Sequence, residues 1–205
     1  SWYTPDTYEY CNKFLNLLKT VKNKPNILFT SSGAVYGKNT NKKKDLESKK
    51  IEVDSINNFI GYKKKYAKEK IFLEKKFKDL AANGYKVSIA RCYTFIGRNI
   101  MPYNYVISDL INDALKKKEI KLKTTANLYR SFMHSDDLAK WLITIVKNSN
   151  TKCPIYNVGS DKVINLRKLT KKIAKLFDKK TLLKKISSKK FDYYVPSIAK
   201  AKKEL

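Results

Sequence analysis

A tyrosine and a lysine four residues apart are the first pair in this sequence that could do chemistry. Tyr66 and Lys70 lie in Gly61–Phe77, GYKKKYAKEKIFLEKKF, where apolar residues recur at helical spacing. Residues four apart on a helix lie one above the other, so the phenol and the ammonium point the same way. A positive charge within about 4–6 Å favours the phenolate and lowers a tyrosine pKa from about 10. The spacing therefore suggests Tyr66 as a general acid/base near neutral pH.

A serine-rich turn after a short strand is the second element. Lysine is so abundant here that the first pair needs this support. Pro25–Gly37 reads PNILFTSSGAVYG, in which Ile27, Leu28 and Phe29 form an apolar run typical of a buried parallel strand. In an open α/β sheet, ligands bind beyond the carboxyl ends of the strands. Ser32 is therefore well placed to hydrogen-bond a substrate hydroxyl or carbonyl.

Four segments in a fixed order carry a resemblance to a known family. SSGAVYG is followed by YAKEKIFLE, then by RCYTFIGR and by YRSFMHSDDLA. Together they resemble the extended short-chain dehydrogenases/reductases, specifically the NAD-dependent sugar-nucleotide epimerases and dehydratases, and the resemblance covers nearly the whole chain. It implies an α/β fold, namely the C-terminal part of a Rossmann-like, doubly wound parallel sheet with a smaller mixed α/β substrate domain.

The resemblance also implies how the chain is divided. Residues 1–96 correspond to part of the NAD-binding Rossmann domain and carry the catalytic serine and the Tyr-x-x-x-Lys pair. Residues 97–205 correspond mainly to the sugar-nucleotide-binding region, with some segments returning to the Rossmann sheet. None of the six glycines forms the Gly-rich turn that holds a dinucleotide. We therefore expect that turn, with about three strands, before Ser1.

Individual residues receive roles from the same resemblance. Tyr66 would exchange a proton with a sugar hydroxyl while a hydride passes to or from NAD or NADP. Lys70 would lower the Tyr66 pKa and hold the nicotinamide ribose, and Ser32 would share the sugar oxygen. Ser31 and Cys92 would contact the cofactor.

Arg130 matches the family arginine that contacts the nucleotide part of a nucleotide-sugar substrate. A guanidinium suits pyrophosphate or ribose oxygens better than an ammonium does. Each site residue also has an alternative role that involves no ligand. Arg130 could form a surface ion pair with Asp136 or Asp137, the serines could serve only the turn, and the tyrosine could face the core.

The residues after the catalytic serine favour an epimerase or a 4-keto-sugar reductase. The 4,6-dehydratases carry an Asp-Glu pair there, whereas this chain has Gly33 and Ala34. Elimination of water needs a second acid and base, which these residues do not supply. A dehydratase or decarboxylase of the same family remains the alternative.

The formal net charge of +27 suggests another class, a non-catalytic lysine-rich protein that binds nucleic acid. Only four of the 45 basic residues are arginine, the residue that base readers and phosphate clamps use heavily. Lysine, asparagine and isoleucine are spread over the chain, as an AT-rich coding sequence would produce. We therefore expect solvated lysines rather than a nucleic-acid surface.

Composition also bounds partners and location. Three scattered cysteines and the single His134 offer no spacing that suits zinc, so we expect no metal. No apolar stretch approaches the roughly 20 residues of a membrane span, and no signal peptide is visible, so we expect a cytoplasmic protein. Helices predicted at 5–21 and 58–82 correspond to those that form a four-helix dimer contact in the relatives. We therefore expect a homodimer, with packing on the sheet as the alternative.

Periodicity and composition place the other elements. Residues 38–58 are polar and are predicted to form a surface loop, and residues 101–105 an aromatic loop. The predicted strands are 26–31, 86–93, 119–123 and 154–159, and the further predicted helices are 106–118, 136–147 and 165–177.

Overall fold

The first half of the chain builds two parallel strands with a long helix packed on them. This computed structural model describes residues 7–98, 105–186 and 191–205. The elements up to residue 92 are α1 Thr7–Leu18, β1 Ile27–Ser32, a 3₁₀ turn Gly33–Tyr36, α2 Val53–Asn57, α3 Tyr62–Ala82 and β2 Val87–Cys92. The two strands run parallel, so their carboxyl ends, Ser32 and Cys92, lie side by side.

The second half adds shorter strands and four helices. These are β3 Phe95–Ile96, α4 Val106–Lys116, β4 Glu119–Leu122, β5 Asn127–Arg130, β6 Met133–His134, α5 Ser135–Lys147, β7 Ile155–Val158, β8 Ile164–Asn165, α6 Leu166–Leu176, β9 Lys180–Leu183, β10 Phe191–Tyr194 and α7 Ala199–Glu204. Strand β7 returns to the first sheet and pairs in parallel with β2, which gives the order β1-β2-β7. The remaining strands form the sheets β10-β5-β8, β3-β6 and β4-β9.

Apolar packing fixes α3 against the first sheet. Phe29 of β1 stacks on Phe77 of α3 with ring centroids 4.5 Å apart. Leu73, one turn earlier on the same helix, is completely buried. Most residues of β1 and β2 are buried, as expected for parallel strands that are covered on both sides, and the buried polar exceptions include Ser31 and Arg91. A separate core joins α4, α6 and β4 in the second half.

The predicted strands and helices are all present, with ends shifted by a few residues. One prediction is wrong: residues 38–58 are not simply a surface loop. They include α2, and Asn39, Asp45 and Ile56 are buried. The reason is a long-range contact, because Asp45 forms a β-bridge with Pro196 near the other end of the chain. Residues 5–6 of the first predicted helix and 101–104 of the predicted aromatic loop lie outside the described residues.

No helix in the described part of the chain has the length and apolar character needed to cross a bilayer.

Helix α6 begins at a side-chain cap that can be tested. Asn165 Oδ1 accepts hydrogen bonds from the backbone amides of Arg167 at 3.0 Å and Lys168 at 3.2 Å. Asn165→Ala should lower the free energy of unfolding by about 1 kcal/mol, because it removes these acceptors. Urea denaturation measures the change. Asn165→Asp should keep the stability, and Asn148→Ala, at the exposed end of α5, should have little effect. A loss from Asn165→Asp equal to that from alanine would contradict the cap.

Candidate active site

The predicted pair on α3 lies beside the end of β1. The helix buries Ala67, Leu73 and Phe77, which leaves Tyr66 and Lys70 half-buried on its flank. Lys70 Nζ is 5.7 Å from the centroid of the Tyr66 ring. The ammonium donates a hydrogen bond of 3.0 Å to the Thr30 carbonyl. Lys70 therefore links α3 to Thr30, the residue of β1 that precedes Ser31 and Ser32.

Ser32 ends β1 and shapes the turn that follows. Its Oγ accepts a 3.2 Å hydrogen bond from the Ala34 amide, which starts the 3₁₀ turn. Ser32 also acts on the Tyr66 phenol, because side-chain hydrogen bonding between them lowers the pKa of Tyr66. The structure thus brings Ser32, Tyr66 and Lys70 to the carboxyl end of one parallel strand. Ligands of open α/β sheets bind at such an end.

The pKa of Tyr66 differs from the sequence-based expectation. Burial raises it above the usual value of a tyrosine, and the bond to Ser32 opposes the rise only in part. The pKa of Lys70 is lowered, also by burial, against the opposing charge of Glu69. The expected lowering of the Tyr66 pKa by Lys70 is therefore wrong for the free protein. Desolvation of the phenol outweighs the nearby ammonium, whose hydrogen bond goes to the backbone instead.

Tyr194 belongs to this cluster, and sequence reasoning missed it. Its Oη lies 3.4 Å from Ser32 Oγ. Burial raises its pKa, while hydrogen bonding to Ser32 opposes the rise. Its ring packs on Tyr93 with centroids 4.5 Å apart. Contacts with distant segments, among them the pairing of β10 with β5, bring this side chain to β1, and no local pattern in FDYYVP indicates them.

Arg130 lies next to Tyr194 because β5 and β10 pair with these two residues in register. Its Nη2 donates to Asp192 Oδ2 at 2.6 Å, and its Nη1 donates to the Asp192 carbonyl at 3.0 Å. The guanidinium carbon is 5.8 Å from the centroid of the Tyr194 ring. Arg130 does form an ion pair, but with Asp192 rather than with Asp136 or Asp137.

The two residues expected to contact the cofactor have different surroundings. The Ser31 side chain is turned inward: the residue is 3% exposed and its Oγ donates to Glu74 Oε1 at 2.6 Å. Ser31 could therefore meet a ligand only through its backbone. Cys92 is half-buried beside Ser32, and burial raises its pKa to about 12, against the charge of Lys70. Its thiol is protonated at neutral pH and lies close to the lysine.

Other polar residues complete the description. Lys63 approaches the Arg130–Asp192 pair, and burial lowers its pKa while Asp192 opposes the change. His134 caps α5, since its Nδ1 accepts from the Asp136 amide at 3.3 Å. Within residues 7–98, 105–186 and 191–205, no group of three or more His, Cys, Asp or Glu side chains could hold a metal ion.

Gly33 lies against an aromatic ring. A Cβ at this position would come within 2.5 Å of Tyr93 Cζ. Tyr93 cannot move away easily, because it is buried and its Oη donates to Asp45 Oδ2 at 3.0 Å. Ala34 is buried as well. The turn after Ser32 therefore has no room for an acidic side chain at position 33.

A model of a protein family matches most of the chain. The model described as the NAD dependent epimerase/dehydratase family matches residues 5–159. The chain belongs to this family. The membership confirms the resemblance seen in the sequence, and the mixed α/β architecture with parallel sheets confirms the expected fold class. No curated protein matches the chain.

Solved structures of similar fold include members with different activities. A dTDP-glucose 4,6-dehydratase from Bacillus anthracis has a TM-score of 0.74 and 17% identity over 95% of this chain and 59% of its own. A UDP-N-acetylglucosamine 4-epimerase from Methanobrevibacter ruminantium has a TM-score of 0.71 and 22% identity over 95% and 61%. A UDP-glucose 4-epimerase from Thermotoga maritima has a TM-score of 0.74 and 18% identity over 94% and 59%. The chain thus spans about three fifths of these proteins, and the likeness establishes the fold of this family member.

The close approach of Gly33 to Tyr93 allows a test of why no acidic residue follows Ser32. Gly33→Asp should cost about 1–3 kcal/mol of unfolding free energy, because the new side chain overpacks a rigid buried ring. The measurement is urea denaturation. In a Tyr93→Leu background the same substitution should cost clearly less, since the ring is gone. An equal cost in both backgrounds would show that the ring does not exclude a side chain at this position.

Proposed function

We propose that the chain is part of an NAD- or NADP-dependent sugar-nucleotide epimerase or 4-keto-sugar reductase. The observation that carries this proposal is the meeting of Ser32, Tyr66 and Lys70 at the carboxyl end of β1. Family membership supports an enzyme of this general chemistry. The choice among its reactions rests on the residues around Ser32.

The residues at this edge fit the nicotinamide end of such a cofactor. The half-buried Lys70 ammonium, held at 3.0 Å by the Thr30 carbonyl, is a donor suited to ribose hydroxyls. When bound, the nicotinamide supplies the acceptor and donor of a hydride. In the proposed reaction Tyr66 accepts the proton of a sugar hydroxyl and later returns it. Ser32 hydrogen-bonds the same oxygen and keeps it near the phenol.

Elimination is disfavoured by the turn that follows Ser32. A dehydratase needs a further acid and base close to the sugar. Gly33 faces the Tyr93 ring and Ala34 is buried, so neither position offers such a group. The nearby carboxylate of Asp192 is paired with Arg130 at 2.6 Å. These observations favour oxidation and reduction at one carbon over loss of water.

The nucleotide end of the substrate is assigned to the region around Arg130. Its side chain is only 15% exposed, and its guanidinium lies between Asp192 and the Tyr194 ring. Lys63 adds a second positive group beside it. Arginine and lysine together suit a pyrophosphate, the arginine as a two-pronged donor and the lysine as a point charge.

A homodimer through α1 and α3 is part of the proposal. Helix α1 packs Leu15 and Leu18 against the core. It leaves Tyr10, Phe14 and Leu17 exposed, with Leu17 63% exposed. The ring of Tyr8 meets that of Phe72 on α3 at 5.2 Å, so the exposed apolar surface continues across both helices. An apolar surface of this kind is typical of a protein contact.

The first test of function uses the full-length enzyme with NAD or NADP and a panel of UDP-, dTDP- and CDP-sugars. Tyr66→Phe should lower kcat by about 10²–10⁴-fold, because it removes the proton-transfer group. Tyr62→Phe is the matched control on the same helix, since Tyr62 is 70% exposed and should be dispensable. Unchanged turnover in Tyr66→Phe would refute the assignment.

The pH dependence and the products refine this test. In the direction of sugar oxidation the phenolate is the active form, and burial raises the Tyr66 pKa. The rate should therefore increase toward alkaline pH, and Tyr66→Phe should lack this increase. The products should be an epimer or a reduced sugar, identified by NMR. A 4-keto-6-deoxy sugar would instead establish a dehydratase.

The dimer is tested by the double substitution Phe14→Glu/Leu17→Glu. It should convert a dimer into a monomer in sedimentation velocity, because two charges are placed on the apolar surface. Leu176→Glu is the control, since Leu176 is 81% exposed on α6 and lies outside that surface. A dimer that persists in the double variant would place the contact elsewhere.

A further inference from the structure

A buried ion pair lies directly behind the candidate site. Glu74 and Arg91 are each 2% exposed. Arg91 donates from Nε to Glu74 Oε1 at 2.9 Å and from Nη2 to Oε2 at 2.7 Å. The Ser31 hydroxyl donates to the same Oε1 at 2.6 Å. The carboxylate therefore holds the residue that precedes Ser32 in the chain.

The hydrogen bonds continue from Arg91 on β2 to the neighbouring strand β7. Its Nη1 donates to Tyr36 Oη at 2.8 Å, and that hydroxyl donates to Asn157 Oδ1 at 2.9 Å. The side-chain amide of Asn157 (Nδ2) then donates to the Asp45 carbonyl at 2.9 Å and to the Ser197 carbonyl at 3.3 Å. Tyr36 and Asn157 have no solvent exposure. We call Glu74, Arg91, Tyr36 and Asn157 the buried chain.

The far end of the buried chain reaches the segment that carries Tyr194. The Asp45 amide donates to the Val195 carbonyl at 3.1 Å, and the Ser197 amide donates to the Asp45 carbonyl at 2.8 Å. These bonds fix Val195, which directly follows Tyr194, and Ser197, which lies three residues after it. Tyr194 Oη in turn lies 3.4 Å from Ser32 Oγ. The contacts thus close a ring that starts beside Ser32 and returns to it.

We propose that the buried chain positions Tyr194 against Ser32, so that strand β10 and the end of β1 act as one rigid site. This inference rests on the proposed function, because it names residues that align its site. Asp192 and Tyr194 are two residues apart on β10 and so lie on the same side of that strand. A tilt of β10 would therefore displace both the partner of Arg130 and the neighbour of Ser32.

A role beyond packing follows from the chemistry of the buried chain. A buried ion pair is often no more stabilising than well-packed apolar residues of the same volume, so stability alone does not explain its presence. Charge-assisted hydrogen bonds are directional, and bidentate ones restrict orientation as well as distance. Burial lowers the pKa of Arg91, but the hydrogen bonds and charge interactions with Glu74 and Tyr36 together outweigh it and raise the pKa, so the charge persists. The buried chain supplies fixed angles where apolar contacts would allow sliding.

Tyr36→Phe is the decisive variant, because it removes the hydroxyl between Arg91 and Asn157 and keeps the buried ring. Tyr85→Phe is the matched control. Tyr85 is also buried, at 7% exposure, and its Oη donates to the Leu18 carbonyl at 2.8 Å, away from the site. Tyr36→Phe loses two hydrogen bonds of a buried phenol, from Arg91 and to Asn157, whereas Tyr85→Phe loses one. The global stability of each variant is therefore measured by urea denaturation, and only a change confined to one segment reports the position of the lost bonds.

Hydrogen exchange followed by mass spectrometry gives a readout that needs no substrate. In Tyr36→Phe, amides of residues 191–198 should exchange at least about tenfold faster, while amides of β4 and α6 should be unchanged. In Tyr85→Phe, residues 191–198 should exchange as in the unsubstituted protein. Equal exchange of this segment in both variants would overturn the proposal, and so would a uniform increase over the whole chain.

A second pair of variants guards against misfolding. Ser31→Ala removes the hydroxyl that joins β1 to Glu74, whereas Ser88→Ala removes a buried hydroxyl with no hydrogen-bond partner. Ser31→Ala should speed exchange at residues 31–37, and Ser88→Ala should not. Identical exchange in the two serine variants would also count against the buried chain.

Turnover by the full-length enzyme separates this inference from the proposed function. Tyr36→Phe should lower kcat at least about tenfold and raise KM, because the neighbour of Ser32 and the partner of Arg130 move together, and Tyr85→Phe should leave both unchanged. If no nucleotide sugar is turned over by the unsubstituted enzyme, the proposed function fails. The exchange experiment then still decides whether the buried chain positions Tyr194.

Discussion

The packing of α3 on β1 is the constraint on which the site depends. Phe77 stacks on Phe29 at 4.5 Å, and this contact sets both the depth and the rotation of the helix. Residues 66, 70 and 74 then form one row on its flank, because they are four residues apart. The row meets three consecutive residues of β1: Tyr66 interacts with Ser32, Lys70 donates a hydrogen bond to the Thr30 carbonyl, and Glu74 accepts one from Ser31. A helix rotated by one residue would lose all three contacts together.

The groups at the site are desolvated, whereas the charged groups on either side of it are paired. Desolvation raises the pKa of Tyr66 and Tyr194 and lowers that of Lys70. The free site is therefore tuned toward neutral groups, and a charged ligand would change the balance. On either side the charges are compensated, by Glu74 with Arg91 and by Asp192 with Arg130. The large excess of lysine belongs to the rest of the surface and leaves the chemistry of the site to a few desolvated groups.

Local patterns predicted the parts of this site that neighbours in sequence create. Helical periodicity placed Tyr66 and Lys70 on one side of a helix, and an apolar run before a serine turn placed Ser32 at a strand end. Contacts between distant segments could not be predicted in the same way. Tyr194 and Asp192 lie on a four-residue strand whose partner is β5, and such a short strand has too little periodicity to identify a neighbour. The pKa of Tyr66 was mispredicted for a related reason, since burial depends on the whole fold while the lysine is visible in the sequence.

The lack of an acid after Ser32, on which the proposed reaction depends, and the shape of the site involve the same residues. Tyr93 occupies the space over Gly33, where its ring excludes a side chain. The same ring packs on Tyr194 at 4.5 Å and is held by Asp45 at 3.0 Å. An acid after Ser32 would have to displace Tyr93 and, with it, the tyrosine that faces Ser32. The lack of an acidic side chain after Ser32 is therefore built into the packing of this site, and under the proposed function a change at Gly33 alone would not introduce elimination.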